Sequence, residues 1–244
     1  MAKIKKAAAA ASKPTKTQKA GSVKNKKAAA SGAANKARSK PAEAAPLRRK
    51  KKLPEGSAET AERARVIQSD VVYQGPLFRV TKDRIIEPSG KESVRDVVRH
   101  NGSVVILAVD PGKSKKDPWI VIERQFRHAA NQFLWELPAG TLDPDEDPLA
   151  GAQRELEEET GYRARKWRPL VRYFASPGFL GEAMNVFLAE GLVPGEATPE
   201  EDEDIDFRLV KMSEIMKLIR KGGIQDGKTL SCILLYKDQL KNSR

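Results

Sequence analysis

The sequence predicts a mixed α/β (α+β) fold that follows a long basic tail. Strand-like stretches outnumber helical ones and often follow one another directly, which favours a layered sheet over repeated βαβ units. We find no internal repeat, and 244 residues are enough for one sizeable domain with appendages. We therefore divide the chain into a tail, residues 1–62, an N-terminal strand region, residues 63–100, and a main domain, residues 101–244.

The tail is built almost entirely from Ala, Lys, Ser, Gly and Pro. Such a segment buries too little apolar surface to offset the entropy lost on ordering, so we expect it to be disordered. Residues 1–52 carry 17 Lys and Arg side chains and one acid, whereas residues 53–244 carry 28 basic and 32 acidic side chains, a formal charge of −4. The tail is therefore either a solubilising segment or a site of weak, sequence-independent binding to nucleic acid or another polyanion.

Turn residues and apolar runs predict where the strands and helices lie along the chain. In the strand region, strands are predicted at 71–73, 77–80, 84–86 and 93–98. In the main domain, further strands are predicted at 103–109, 119–123, 186–189 and 207–210. Helical patterns cover 148–160, 213–221 and 229–240.

The small numbers of cysteine and histidine residues and the short apolar runs argue against disulfides, a zinc site and a membrane span. Cys232 is the only cysteine, so no intramolecular disulfide can form, which fits a reducing compartment. One cysteine and two histidines also argue against a zinc site with nitrogen and sulfur ligands, so oxygen must hold any catalytic metal. No apolar run approaches the ~20 residues that a membrane span needs. We expect a cytoplasmic protein with no membrane partner.

The helix predicted at 148–160 gathers carboxylates on one face. Glu155, Glu158 and Glu159 are spaced i, i+3 and i+4, which makes them neighbours on the helix surface. Three clustered carboxylates repel one another unless a hard divalent cation neutralises them, and Mg²⁺ binds carboxylate oxygens together with substrate phosphate. Arg154 can reach Glu158 at i+4 and hold one carboxylate in place. A solvated acidic helix face is the alternative interpretation.

Seven residues around this helix have the spacing of the box of the Nudix hydrolases, and the chain resembles that family. The matching residues are Gly140, Glu146, Arg154, Glu155, Glu158, Glu159 and Gly161, with Tyr162 where a smaller aliphatic residue is usual. Four further segments resemble the ADP-ribose pyrophosphatase branch, at 123–127, 136–140, 176–178 and 222–226. The resemblance runs from about residue 66 to residue 240.

The resemblance implies a Nudix-like mixed β-sheet sandwiched between helices, preceded by antiparallel strands. It also implies a hydrolase that uses Mg²⁺, with Mn²⁺ as the alternative, to cleave a nucleoside diphosphate linked to another moiety. With a nucleoside diphosphate sugar such as ADP-ribose, attack of a metal-activated water on one phosphorus would give AMP and ribose 5-phosphate. It further implies a homodimer in which residues 71–87 pack on the partner.

Metal and catalytic roles are carried over by the same resemblance. Glu155 and Glu159 would be the principal Mg²⁺ ligands, with the Ala139 carbonyl completing the site. Glu158 would be a further ligand or a supporting residue. Arg154, which can hold the Glu158 carboxylate in place, is counted with the predicted catalytic residues.

The catalytic base is expected in a loop. By resemblance Glu182 would be this base or a metal ligand, and its loop contains two glycines and could close over substrate. An ordinary exposed loop acid is the alternative interpretation of Glu182. A second acidic stretch, residues 200–204, could supply the base instead.

Several residues are candidates for binding the substrate. Arg127 is the candidate for gripping the diphosphate, because a guanidinium can engage phosphate oxygens bidentately. Arg99 is a weaker candidate for the same role. Phe78 and Phe126 could stack on adenine, although core packing is the favoured interpretation of both. The matching segments add two more residues to the predicted substrate-binding set, Glu136 and Pro177.

Two other functions are considered. Another nucleotide sugar, such as an ADP- or GDP-linked hexose, would use the same site. The chain could instead be a polyanion-binding protein with a vestigial hydrolase domain. The complete set of mutually repelling carboxylates argues against that alternative.

Overall fold

Two β-sheets and three α-helices make up the part of the chain that the computed structural model describes, which comprises residues 63–112, 114–198 and 205–242. The predicted tail, residues 1–62, and the acidic stretch at 200–204 lie outside the described residues. The expectations for those two segments and the division of the chain into three parts therefore stay predictions.

The first sheet is antiparallel and contains three strands in chain order, β1 (Arg65–Gln74), β2 (Arg79–Ile86) and β3 (Glu92–Arg99). The stretches predicted at 77–80 and 84–86 belong to one strand, β2, which begins only at Arg79. The N–H of Gly75 donates to the Phe78 carbonyl at 3.0 Å and closes a turn before that strand. β1 is exposed along its whole length.

The second sheet is mixed and contains seven strands in the described residues. They are β4 (Ser103–Asp110), β5 (Trp119–Arg127), β6 (Gln132–Glu136), β7 (Ala139–Thr141), β8 (Arg163–Phe174), β9 (Ala183–Val193) and β10 (Asp206–Lys211). The order is β10-β5-β4-β9-β8, with β6 paired to β5 and β7 to β4. β4 and β9 are parallel, and the other pairs are antiparallel.

Three of these strands, β6, β7 and β8, were not predicted from the sequence. β8 is the longest strand of the sheet, yet it is rich in basic residues and contains Pro169, which cannot donate a ladder hydrogen bond. The register shifts between Pro169 and Val171 accommodate the proline. β6 and β7 are short and depend on pairing with β5 and β4 rather than on a pattern of their own.

The helices are α1 (Pro148–Thr160), α2 (Met212–Arg220) and α3 (Gly227–Asn242), each close to its predicted bounds. The α1 cap is strong, because Asp147 Oδ1 accepts from the N–H groups of Leu149 and Ala150 at 3.0 and 3.1 Å. Gly161 ends α1 in the left-handed conformation, with φ 69°. None of the helices in the described residues is long and apolar enough to cross a bilayer.

The core lies on both faces of the second sheet. One face of β4 and β5 packs on α2 and α3 through residues such as Met212, Ile215 and Cys232. The other face packs on α1 through Ala152 and Leu156. The mixed sheet is thus sandwiched between helices, which confirms the predicted fold class.

Strand register brings the candidate site residues to one end of this sheet. Ser103, the first residue of β4, pairs with Thr141 of β7 on one side and with Met184 of β9 on the other. The loop that precedes β9 and the end of β7 therefore meet at the start of β4. The carboxylate face of α1 lies beside β7, since the Ala139 N–H donates to Glu159 Oε2 at 3.2 Å.

Candidate active site

Arg154 is the centre of a carboxylate group formed by α1 and the segment before it. Its Nη1 donates to Glu155 Oε1 and to Glu158 Oε2, both at 2.9 Å. Its Nε and Nη2 donate to the two oxygens of Glu146, both at 3.1 Å. The hydrogen bonds with Glu146 raise the pKa of Arg154, and they lower the pKa of the Glu146 carboxyl. One guanidinium therefore orients three glutamates of the box.

Gly140 allows β7 to approach this group closely. A Cβ atom at Gly140 would lie 1.9 Å from the carboxyl carbon of Glu155, closer than any real contact. Only glycine therefore lets the Glu155 carboxylate lie against the backbone of β7. Glu159 is buried behind it and accepts from the Ala139 N–H, so the segment that carries Ala139 is joined to α1.

The donor chemistry of this group fits a hard divalent cation. The available ligands are carboxylate oxygens, and the three glutamates around Arg154 together with Glu159 outnumber that single cation. In the described part of the chain, no three His, Cys, Asp or Glu side chains are gathered closely enough to hold a metal by themselves. The metal-ligand roles stay predictions.

Glu182 lies at the start of β4 and is held in place by it. Ser103 Oγ donates to Glu182 Oε1 at 2.6 Å. The loop before Glu182 is also fastened to the end of β3, since the N–H of Val98 donates to the Phe179 carbonyl at 2.8 Å and the N–H of Gly181 donates to the Val98 carbonyl at 2.9 Å. The loop is therefore hydrogen-bonded to both sheets.

A second glutamate group lies on β5 and β6. Glu136 is almost completely buried, and Arg127 donates to its two oxygens at 2.9 and 2.8 Å. Lys228, from the first turn of α3, also donates to Glu136. Burial alone would raise the pKa of Glu136, but the hydrogen bonds and charges of Arg127 and Lys228 together lower it. The residue predicted to grip the diphosphate is thus already paired with a buried carboxylate.

Glu123 is directly opposite Glu136 in the register of β5 and β6. It is fully buried, and among the described residues no N–H or O–H group donates to either of its carboxylate oxygens. Burial, together with the neighbouring charge of Glu136, raises the pKa of Glu123 to about 7. No separate role was predicted for Glu123, although an acid that follows the apolar residues of β5 was a visible signal in the sequence.

A cavity of about 860 Å³ lies beside the second group and the backbone of β7. The side chains of Arg154, Glu155, Glu158 and Glu159 are not among the residues that line it. Its polar wall includes Ser103, Arg127, Glu182 and Lys228, and the backbone of Ala139 and Gly140 borders it. Its apolar wall is formed by aromatic and aliphatic side chains, namely Leu77, Phe78, Phe174, Phe179 and Leu180. Sites of this size, mostly apolar with a few convergent polar groups, are typical of small-molecule binding.

Three residues predicted to bind substrate, Arg99, Glu136 and Pro177, do not line this cavity, and neither does Phe126. Arg99 donates to Asp83 and, at 3.3 Å, to Thr81 Oγ1, within the first sheet. Phe126 packs edge-on against Phe133, and Pro177 is exposed in its loop.

The expectation of core packing for Phe78 and Phe126 is wrong, since their exposed fractions are 37% and 45%. Phe78 lies in the turn before β2, and Phe126 is the second-last residue of β5. Phe78 does line the cavity, beside the turn that precedes β2. A ring partly open to solvent is available for contact with a ligand, whereas a core side chain is not.

Comparison with known proteins decides the family. The NUDIX domain matches residues 99–231, which contain α1 and the segments that surround it. The chain belongs to the NUDIX domain family. It is 37% identical over 172 residues to the ADP-ribose pyrophosphatase of Bacillus subtilis (strain 168), covering 69% of this chain and 90% of that protein.

Two further similarities bear on substrate and fold. The chain is 34% identical over 152 residues to the GDP-mannose pyrophosphatase of Citrobacter koseri, covering 55% of this chain and 76% of that protein. It superposes on a crystal structure of an ADP compounds hydrolase with TM-score 0.65 at 20% identity, covering 75% of this chain and 97% of that one. The assignment of the chain to the Nudix pyrophosphohydrolases, predicted from the sequence, is confirmed.

Proposed function

We propose that the chain hydrolyses the diphosphate of ADP-ribose to AMP and ribose 5-phosphate, with Mg²⁺ as the cofactor and Mn²⁺ as its substitute. The observation that carries this proposal is the cavity, because it joins the segment of Ala139 and Gly140 to an aromatic wall around Phe78. A linked nucleoside diphosphate has the matching composition, with charged phosphates between a planar base and a polar sugar. The ADP-ribose pyrophosphatase relative supports this choice of substrate.

Separate residues would bind the metal, orient its ligands and accept a proton. Glu155 and Glu159, with the Ala139 carbonyl, would hold Mg²⁺, which neutralises phosphate charge and activates water when it is bound. Arg154 orients Glu155 and Glu158 through its hydrogen bonds. Glu182 faces the cavity and is oriented by Ser103, so it is the proposed proton acceptor.

The two cations of the second glutamate group would face the diphosphate. Arg127 and Lys228 both line the cavity, and Glu136 keeps them at fixed positions. Arg127 is 36% exposed, so its guanidinium can contact phosphate from its open side while it stays paired with Glu136. Positioning and charge stabilisation of this kind dominate phosphoryl transfer.

Product analysis tests the substrate. ADP-ribose, ADP-glucose, GDP-mannose, NADH and diadenosine polyphosphates would be incubated separately with the protein and Mg²⁺, beside the variant Glu159→Gln. We expect AMP release from ADP-ribose to be fastest and to be lost in the variant. Absence of turnover of every substrate, with Mg²⁺ and with Mn²⁺, would contradict the proposal.

GDP-mannose is the second candidate substrate, supported by the similarity to a GDP-mannose pyrophosphatase. It would use the same carboxylates and the same cations, so only the aromatic wall distinguishes the two bases. The same product analysis separates them. Faster release of GMP from GDP-mannose than of AMP from ADP-ribose would make this candidate the substrate and leave the metal site unchanged.

The first sheet supports a homodimer. Its outer strand carries several exposed apolar side chains, namely Val66, Ile67, Val71, Val72 and Tyr73. Exposed apolar patches and unpaired edge strands mark association surfaces. We expect light scattering to give twice the chain mass at micromolar concentration and the variant Val72→Asp to give a monomer. A monomeric mass for the unchanged protein would refute the homodimer.

The tail and the location of the protein are separate proposals. We propose that the 17 basic side chains of residues 1–52 give weak, salt-dependent binding to nucleic acid or another polyanion. A chain that begins at Ala61 should lose that binding and keep its hydrolase activity. A cytoplasmic location also stays a proposal, which subcellular fractionation would test.

A further inference from the structure

The start of α3 is hydrogen-bonded to the segment that leads to Ala139, residues 136–139. Thr229 is fully buried, and its hydroxyl accepts from the N–H of Leu137 at 2.8 Å. The same hydroxyl donates to Asp226 Oδ2 at 2.6 Å. That oxygen also accepts from the Thr229 N–H at 2.9 Å, as an N-cap does. Because a carboxylate only accepts, the hydroxyl proton points to Asp226 and a lone pair faces Leu137.

A second contact with α3 lies one residue earlier in the segment, at Glu136. Lys228 donates to Glu136 and forms an ion pair with Asp226 at 3.3 Å. Consecutive residues of α3 therefore hold consecutive residues of the segment, although the two stretches are 92 residues apart in the chain. Asp226 interacts with both Lys228 and Thr229 and so links the two contacts.

The rest of the segment is fixed by the sheet and by α1. The Pro138 carbonyl accepts from the Ile106 N–H at 2.8 Å, and the Ala139 N–H donates to Glu159 Oε2 at 3.2 Å. Pro138 has no N–H, so the Leu137 N–H is the last backbone donor before Ala139. Leu137 is fully buried, and a buried N–H without a partner is strongly disfavoured. Without the Thr229 hydroxyl, the segment must shift to find another acceptor.

We propose that Thr229, oriented by Asp226, is a positioning residue that sets the placement of the Ala139 carbonyl against Glu159 and thereby the affinity for the divalent cation. The inference rests on the proposed function, in which Ala139 and Glu159 hold that cation. Thr229 acts through the Leu137 N–H and contacts neither substrate nor metal. Groups that orient metal ligands in this way typically change metal affinity or activity by about 10- to 100-fold when they are removed.

The test compares two substitutions at Thr229 with a matched control elsewhere. Thr229→Val removes the hydroxyl and keeps the shape, whereas Thr229→Ser keeps the hydroxyl. Ser213→Ala is the control, because Ser213 makes the same kind of bonds to Asp117 at the start of α2, at 2.7 Å from its N–H and 3.0 Å from its Oγ. No described bond joins that pair to the candidate site.

Three measurements on the full chain report the effect. Mn²⁺ binding is followed by the paramagnetic resonance of the free ion, and backbone exchange by deuterium uptake of the peptide that contains Leu137. AMP release from ADP-ribose gives the metal dependence of the rate. We expect Thr229→Val to weaken Mn²⁺ binding about 10-fold and to speed exchange at Leu137. Thr229→Ser should stay within about twofold of the unchanged protein, and Ser213→Ala should bind Mn²⁺ normally although its melting temperature falls.

Two results would overturn the inference alone. One is Mn²⁺ binding by Thr229→Val as tight as in the unchanged protein, since the hydroxyl would then serve only the backbone. The other is an equal loss of binding in Ser213→Ala, since general destabilisation would then account for it. An unchanged protein that binds no Mn²⁺ and releases no AMP would overturn the proposed function and this inference together.

Discussion

Two groups of glutamates lie within the same site, and they differ in how their charge is balanced. Around α1, the carboxylates of Glu155 and Glu158 on the helix and of Glu146 before it share the guanidinium of Arg154. On β6, the single carboxylate of Glu136 is shared by two cations, Arg127 and Lys228. The first group has negative charge in excess, whereas the second has its charge balanced by the protein.

This difference separates the roles of the two groups. Clustered carboxylates that lack enough protein cations gain from a bound divalent ion, so the α1 group is suited to metal binding. A buried carboxylate with two ion-pair partners has no such need, and its loss would leave those cations uncompensated. We therefore expect substitutions in the α1 group to change catalysis with the fold kept, and substitution of Glu136 to lower stability as well as to loosen the two cations proposed to face the diphosphate.

The largest effect is expected within α1. Glu159→Gln should lower kcat at least ~100-fold while the protein stays folded, because a metal ligand and a site charge are both lost. Glu157→Gln is the control on the same helix, since Glu157 pairs with Arg163 at the surface and should leave kcat nearly unchanged. Steady-state kinetics with ADP-ribose measures both. Near-normal turnover by Glu159→Gln would remove it from the metal site.

The next effect concerns stability. Glu136→Gln leaves Arg127 and Lys228 without their carboxylate, so the free energy of unfolding should fall by about 3 kcal/mol. The control Glu92→Gln breaks an exposed pair with Arg84 and should cost less than about 1 kcal/mol. Urea unfolding measures both values. Equal, small losses in the two variants would show that the Glu136 group does not stabilise the fold.

A smaller effect should appear as pH dependence. The pKa of Glu123 is about 7 in the folded protein, above the ordinary value of 4.5, so the folded state binds more protons than the unfolded state between these values. Stability from this group is therefore full below pH 4.5 and is lost as pH rises toward and beyond 7. Relative to Glu123→Gln, the metal-free protein should lose about 2 kcal/mol of unfolding free energy between pH 5 and pH 7. Urea unfolding in EDTA that shows a constant difference would contradict the raised pKa.

Local patterns predicted one part of this molecule well. α1 was predicted to the residue because its N-cap, its C-terminal glycine and its carboxylate spacing all lie within one short segment. The buried strands β4 and β5 were predicted for the same reason, since continuous apolar runs mark them. β8 was missed because its basic residues and Pro169 hide a strand that only its pairing with β9 reveals.

The candidate site likewise contains contacts that local sequence patterns predict and contacts that they do not. The carboxylates of α1 could be grouped from sequence spacing alone, because helix geometry fixes which side chains are neighbours. The pairing of Arg127 with Glu136 could not be predicted from the sequence, since it depends on the register of β5 with β6. The contacts of Lys228 and Thr229 were also hidden, because they join stretches 92 residues apart. Long-range contacts of this kind carry no local signal.

Direct measurement of Mn²⁺ binding tests the central claim, that the α1 carboxylates form the cation site. The unchanged protein, the double variant Glu155→Gln/Glu159→Gln and the control Glu157→Gln would be titrated with Mn²⁺ at constant ionic strength, with the free ion measured by paramagnetic resonance. We expect the double variant to bind at least ~10-fold more weakly and the control to bind normally. Equal Mn²⁺ binding by the unchanged protein and the double variant would contradict the account.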